Sequence, residues 1–347
     1  MSMKRFLRSI IIFIVLTLIV GGITYYFNLN ERIEKMISKI SISIGTIYVE
    51  KPKVKIIDES SKSRPIAVSI NNNHAAWPHA GLQDAYLGYE LIAEGGITRL
   101  VALFKDQNTD KIGSVRSARH YFLDYVMEND AIFVHYGQSP QAKSDLASLG
   151  INNVNGMYDA KGFFRDKTLK RAWEHTAFTS MSRINEVVKS KKYRTTTETQ
   201  LLKYSPIKVD HSKDETLKTA NKVTIKYSNY QTTSYEYDKE NMNYKMFMGG
   251  QAHTDLVTKK QYTVKNIITY QVKNTSLGDK KGRQDLDNVG SGEGYYISNG
   301  DAIKIKWSKA SRDAKTKYTL MDGTELVVND GNTWIHIQPK GQTLKIE

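Results

Sequence analysis

The sequence predicts a mixed α/β N-terminal domain followed by a mainly antiparallel β C-terminal domain, behind one N-terminal transmembrane helix. Three observations predict it. An uncharged apolar run, residues 10–27, follows a basic cluster. From residue 65 to about 190, strand-type and helix-type patterns alternate, as in a layered α/β fold. From residue 222 onward, short alternating runs separated by Gly- and Asn-containing turns take over, the pattern of antiparallel strands.

The apolar run reads IIIFIVLTLIVGGITYYF. At about 1.5 Å per helical residue its length is roughly 27 Å, close to the thickness of a bilayer core. Lys4, Arg5 and Arg8 precede it, whereas Glu31, Arg32, Glu34 and Lys35 after it nearly cancel. The positive-inside bias then places Met1 in the cytoplasm and the bulk of the chain outside, as a single-pass protein of the cell membrane. Tyr25, Tyr26 and Phe27 fall where an aromatic belt would lie. A cleaved signal peptide is the competing reading, but secretory apolar regions are usually shorter, and Val20-Gly21-Gly22 is a poor cleavage context. Lipidation would need a cysteine after the run, and the chain has none. That absence also removes disulfides, thiolate metal sites and thiol catalysis.

Residues 28–48 carry Ile33, Met36, Ile37, Ile40 and Ile44 at three- and four-residue steps, an amphipathic helical period. Residues 49–64 read as a polar linker. The expected organisation is a cytoplasmic stub and anchor over 1–27, an amphipathic helix and linker over 28–64, an α/β domain over 65–200 and a mainly β domain over 201–347.

In the first domain, IAVSI (66–70) and ITRLVALF (97–104) predict strands, as does AIFVHYG (131–137). The period of residues 85–93 fits a helix or a strand. Residues 115–130 predict a helix through Ala118, Phe122, Tyr125 and Val126. Residues 139–150 predict another, with Ser139 as N-cap, Pro140 at the first position and Gly150 as stop. A further helix begins near Ser180 or Ser182. Residues 189–226 carry a surplus of six positive charges and read as a solvated connection. Beyond it, KVTIKY, TTSYEYD, YKMFMGG, TVKNIITYQV, GEGYYIS, AIKIKWS, KYTLM, ELVVND and TWIHIQ predict strands.

The net charge is +14. Outside a cell such a charge suits anionic lipid head groups or wall polymers, or simply solubilises the chain. Nucleic acid is not an expected partner, because that reading rests on charge alone and the topology opposes it.

The densest polar cluster spans residues 71–119. His74, Trp77, His79 and Asp84 lie on one long loop after a strand, where a scaffold fixes the loop and leaves side chains free. Glu90 and Glu94 are four apart and would share one face of a helix. Paired carboxylates can serve as acid and base, or form salt bridges with Arg99. Arg116 and Arg119 stand at the start of the predicted helix, suited to an anion or to pairing with Glu90, Glu94 or Asp124. His120, His135 and His175 are scattered, and His253-x-Asp255 alone is a weak metal signal. There is no phosphate loop, no nucleophile elbow and no calcium-loop order, so neither metal nor cofactor is expected.

At these residues the chain resembles the YerB-like family of Gram-positive surface proteins. RPIAVSINNNHAAWPHAGLQDA, YELIAEGGITRLVALF, IGSVRSARHYFLDYV and AIFVHYGQSPQA carry the resemblance, with AHTD, GRQDLDNVGSGEGYYISNG, IKIKW and NDGNTWIHIQP in the second half. It covers about residues 65–341 and implies a two-part α/β and β architecture at the cell surface, without implying a reaction. The family is mostly lipoproteins, and here a membrane helix stands in place of the lipidated cysteine. The motif positions carried over are Asn71, Asp84, Glu90, Glu94, Gly95, Gly96, Arg99, Arg116, Ser117, Arg119, His135 and Ser139.

Two functions are expected from this. One is a membrane-anchored module that binds a cell-envelope component, such as an anionic wall polymer, or another envelope protein, in wall assembly or regulation. Its binding candidates are Asn71, Asp84, Arg99, Arg116 and Arg119. The other is an envelope hydrolase or transferase. Its acid/base candidates are Glu90, Glu94 and His135, and Arg116 and Arg119 would hold an anionic substrate.

Overall fold

The structure is a computed structural model and describes residues 58–347. The predicted transmembrane helix and the amphipathic segment up to residue 57 lie outside the described residues. Among the described residues no helix is long and apolar enough to cross a membrane.

Three strands form the heart of the N-terminal part: β1 (Ile66–Asn72), β2 (Leu87–Ile92) and β3 (Thr98–Phe104). All three are buried throughout their length, as apolar runs covered on both faces should be. β3 lies between the other two and is antiparallel to both. Ile132–His135 extends the sheet parallel to β1, and Asn153–Asn155 follows it. The ambiguous segment 85–93 is thus a strand. Glu90 and Glu94 do not share a helix face: Glu90 is within β2 and Glu94 opens the short 3-10 turn Glu94–Gly96.

On its other side β2 pairs in parallel with Thr333–Pro339, from Leu87 opposite Thr333 to Leu91 opposite Ile337. Asn266–Val272, Gly290–Ser298 and Asp301–Lys309 continue from there, so one eleven-stranded sheet runs through both halves of the chain. Gly88 is needed at the seam, because a Cβ there would come within 2.8 Å of the Trp334 ring. A second, six-stranded antiparallel sheet contains Lys222–Lys226, Thr232–Asp238 and Asn243–Met248. The C-terminal strand runs predicted from alternation all form strands, most of them paired antiparallel.

Residues 115–130 are the main departure from expectation. Only Leu123–Glu128 is α-helical, after a 3-10 turn at His120–Phe122. The preceding residues are extended because tertiary partners take their amides. Val115 N donates to Ala177 O, Arg116 N to Ser69 O and Ala118 N to Gly137 O, at 2.7, 2.8 and 3.0 Å. These bonds override the local apolar period. Arg116 and Arg119 therefore do not sit on the first turn of a long helix.

The predicted helices at Pro140–Ser148 and Met181–Ser190 are present, capped by Ser139 and Ser180. Ser139 Oγ accepts from Ala142 N at 3.2 Å, with Pro140 at the first helical position. Ser139→Ala is expected to cost about 1 kcal/mol, measured by urea unfolding.

Candidate functional site

Strand alternation sorts the polar cluster onto opposite faces of the sheet. Asn71 is opposite Arg99 in the β1–β3 register, and Leu91 is opposite Arg99 across β2–β3. Asn72, Thr98 and Glu90 point to the other face. The two candidate carboxylates therefore have different surroundings.

Glu90 belongs to a closed internal network. Its Oε1 accepts from Thr98 Oγ1 at 2.7 Å and Asn72 Nδ2 at 3.3 Å, and its Oε2 accepts from Thr233 Oγ1 at 2.7 Å. His336 Nδ1 lies 3.3 Å from Oε2, and the His336 ring is held between the hydroxyls of Tyr227 and Tyr235. Glu90 and His336 are fully buried. This network joins β2 to the second sheet.

The opposite face gathers arginines. Arg99 is 3% exposed. Its guanidinium donates from Nη1 to the Thr98 carbonyl at 3.3 Å, and its buried Nε has no hydrogen-bond partner among the described residues. Burial, with the charge of Arg119 second, lowers the Arg99 pKa to about 9. Arg119 Nε is paired with Glu94 and its Nη1 donates to the Ala118 carbonyl at 2.7 Å. Burial opposes ionisation of Glu94, but the hydrogen bond and charge of Arg119 outweigh it, and the carboxyl stays below its ordinary range. Arg116 Nη2 reaches Glu174 at 3.4 Å, and burial also lowers the Arg116 pKa.

The remaining members come from the segment 164–175, where His175 alone stood out in the sequence. Asn71 Nδ2 donates to His175 Nδ1 at 2.7 Å, which binds the 3-10 turn Trp173–His175 to the end of β1. Burial depresses the His175 pKa, so the ring accepts as a neutral imidazole. Arg165 lies between two aromatic rings, its Cζ 4.5 Å from the Tyr136 centroid and 4.4 Å from that of Trp173. Its Nε is also buried without a partner among the described residues. Arg165 and Arg119 both push down the pKa of Arg116, which places the three charges in one neighbourhood. Trp173 is 64% exposed. Four guanidiniums, Arg99, Arg116, Arg119 and Arg165, are thus set against two carboxylates, Glu94 and Glu174. The sequence could not reveal this, because Arg165 and Glu174 arrive from about fifty residues away.

The other predicted residues fall elsewhere. Asp84 Oδ2 accepts from Thr109 Oγ1 at 2.7 Å, at the rim of a cleft of about 690 Å³ shared with Asp255 and Lys111. His135 is buried, with Nδ1 against the Gly137 carbonyl at 2.8 Å and Nε2 3.3 Å from Asn153 Oδ1. Burial lowers its pKa to about 4. Asp255 caps a turn, accepting from Val257 N, Thr258 N, Gly81 N and the Tyr262 hydroxyl. It therefore does not join His253 as a ligand pair. Among the described residues no group of three or more His, Cys, Asp or Glu could hold a metal ion.

Residues 54–194 match the family described as "Protein of unknown function (DUF3048) N-terminal domain", and residues 223–335 match its C-terminal domain. The "Putative lipoprotein YerB" of Bacillus subtilis (strain 168) is 32% identical over 290 residues, covering 82% of this chain and 84% of that protein. The crystal structure of the YerB protein from Bacillus subtilis is similar at a TM-score of 0.72 and 30% identity, covering 85% of this chain and 100% of that one.

Proposed function

The chain belongs to the YerB-like family, and from that premise we propose that it is a membrane-anchored extracytoplasmic module that binds an anionic component of the cell envelope. The observation that carries this reading is Arg99, a buried guanidinium whose Nε has no partner among the described residues, in a cluster where, among those residues, four arginines face two carboxylates. An internal salt-bridge network would match its charges. This one retains an excess of two positive charges in a desolvated setting, where phosphate or carboxylate is held most strongly. The exposed Trp173 ring beside Arg165 adds a flat apolar surface of the kind on which a sugar or polyol unit can rest.

Attachment to the membrane rests on residues 10–27 and fits a relative titled a lipoprotein. A wall polymer carrying phosphate or carboxylate is the favoured partner, and an acidic segment of another envelope protein is the alternative. The hydrolase reading draws no support from the geometry. Glu90 is buried and hydrogen-bonded within the core, and Glu94 is held by Arg119.

The test is retention of the full-length protein, in detergent, on purified peptidoglycan with and without its teichoic acid. Arg116→Ala removes a half-exposed member of the cluster and should leave the fold intact. Loss of one charge-assisted hydrogen bond, about 1.5–3 kcal/mol, is expected to weaken binding by at least tenfold. Retention should also fall as salt is raised. Equal retention of wild type and Arg116→Ala on both materials would refute the proposal.

A further inference from the structure

Away from the arginine cluster, two buried histidines raise a separate question of proton placement. His79 Nε2 lies 2.7 Å from the Asn71 carbonyl oxygen. A carbonyl only accepts, so His79 donates from Nε2, and its Nδ1 in the neutral ring is an acceptor. His253 Nε2 lies 2.7 Å from that Nδ1 and must be the donor. A neutral imidazole has one N–H, so His253 Nδ1 carries a lone pair. The atom it faces, at 3.3 Å, is Met246 Sδ, which has no hydrogen to give.

Two Lewis bases thus face each other with no proton between them. We infer that His253 Nδ1 and Met246 Sδ form a binding site for one soft monovalent cation, Cu(I). Thioether and imidazole ligands select Cu(I) over hard divalent ions. For metal bonds of about 2.0 Å to nitrogen and 2.3 Å to sulfur, a 3.3 Å separation gives an angle of roughly 100°, open enough for a third ligand. Met248, two residues along the same strand and on the same face as Met246, lines a pocket together with His253 and is the nearest candidate on that strand for this position. A pocket of about 310 Å³, lined by His74, Trp77, Met248 and His253, reaches the His253 side of the pair, while Met246 is fully buried behind it. Among the described residues no carboxylate lines that pocket, and its donors do not suit Mg(II) or Ca(II).

The test is an anaerobic titration of the full-length protein with Cu(I) against a coloured bicinchoninate competitor. One equivalent should be withdrawn from the competitor. Met246→Leu, which keeps volume and apolarity, should reduce the affinity at least tenfold with little change in thermal midpoint. Ag(I) should compete for the site, and Zn(II) at equal concentration should not. X-ray absorption of the wild-type Cu(I) form gives a second readout that needs no variant, and a sulfur neighbour near 2.3 Å is expected. No withdrawal of Cu(I), an affinity unchanged in Met246→Leu, or a shell of nitrogen and oxygen alone would each overturn the inference.

Discussion

Glu128→Ala is expected to destabilise the protein by about 3–5 kcal/mol, the usual cost of leaving one charge of a buried pair uncompensated. Glu128 is 1% exposed and Lys309 is 2% exposed, with Nζ 2.8 Å from Oε2. The same carboxylate accepts from the Tyr89 hydroxyl at 2.7 Å and from Thr316 N and Oγ1 at 3.0 and 2.6 Å. Removing it strands three neutral donors in the core and leaves the buried ammonium with no counter-charge there, only the carbonyls of Ala314 and Asp124. The pair also joins the helix Leu123–Glu128 to the long strand Asp301–Lys309, one element from each half of the chain. Urea unfolding should show a single transition moved to lower denaturant. Replacing both partners with apolar residues of similar volume should recover much of the loss. A cost below 1 kcal/mol for Glu128→Ala would mean that the Ala314 and Asp124 carbonyls, or water, suffice to hold the ammonium.

Stability is expected to fall steeply as pH drops from about 6.5 towards 4. His79 and His135 are lowered by burial to about 4, and His253 well below its ordinary value, whereas in an unfolded chain each titrates near 6.5. Between those values the unfolded chain binds protons that the folded chain refuses, so stability rises with pH across the window. Each histidine contributes up to about 1.4 kcal/mol per pH unit. The ion-paired carboxylates act lower down. Asp166, held to about 2 by its hydrogen bond from Lys111, stabilises above the ordinary aspartate range, and that contribution is lost as pH falls through about 2. Urea unfolding at pH 7, 6 and 5 separates the effects, and His135→Gln should reduce the slope by one proton. Stability that is flat from pH 7 to 5 would contradict burial of these rings in the neutral form.

Much of the strand architecture was legible because strands alternate visibly and caps have local chemistry. Ser139-Pro140 and Ser180 act over three residues, and the runs from Lys222 to Pro339 each carry their own period. Continuity of one sheet across the two halves was not legible. It depends on β2 pairing with Thr333–Pro339 across more than two hundred residues, which no local pattern encodes. Residues 115–119 misled for a related reason. Their apolar spacing suits a helix, but their amides are bound to Ser69, Ala177 and Gly137.

The site was half legible. The structure brings Arg99, Arg116, Arg119 and Asn71 together, with Glu94 as the partner of Arg119. Glu90 does not, because sheet alternation turns it to the opposite face. Arg165, Trp173 and Glu174 were missed, and His175 was noted only as a scattered histidine, since an isolated arginine or tryptophan in a loop carries no signal until the fold brings it to a strand end.

The most direct measurement follows the Arg99 Nε–Hε resonance of the full-length, arginine-labelled protein while a glycerol phosphate oligomer is added. If the cluster is the anion site, that resonance should move on binding, along with those of Arg116 and Arg165, and the shifts should disappear in Arg116→Ala at matched ligand. If the oligomer binds while the Arg99 signal stays fixed, the anion is held elsewhere and the central claim is wrong.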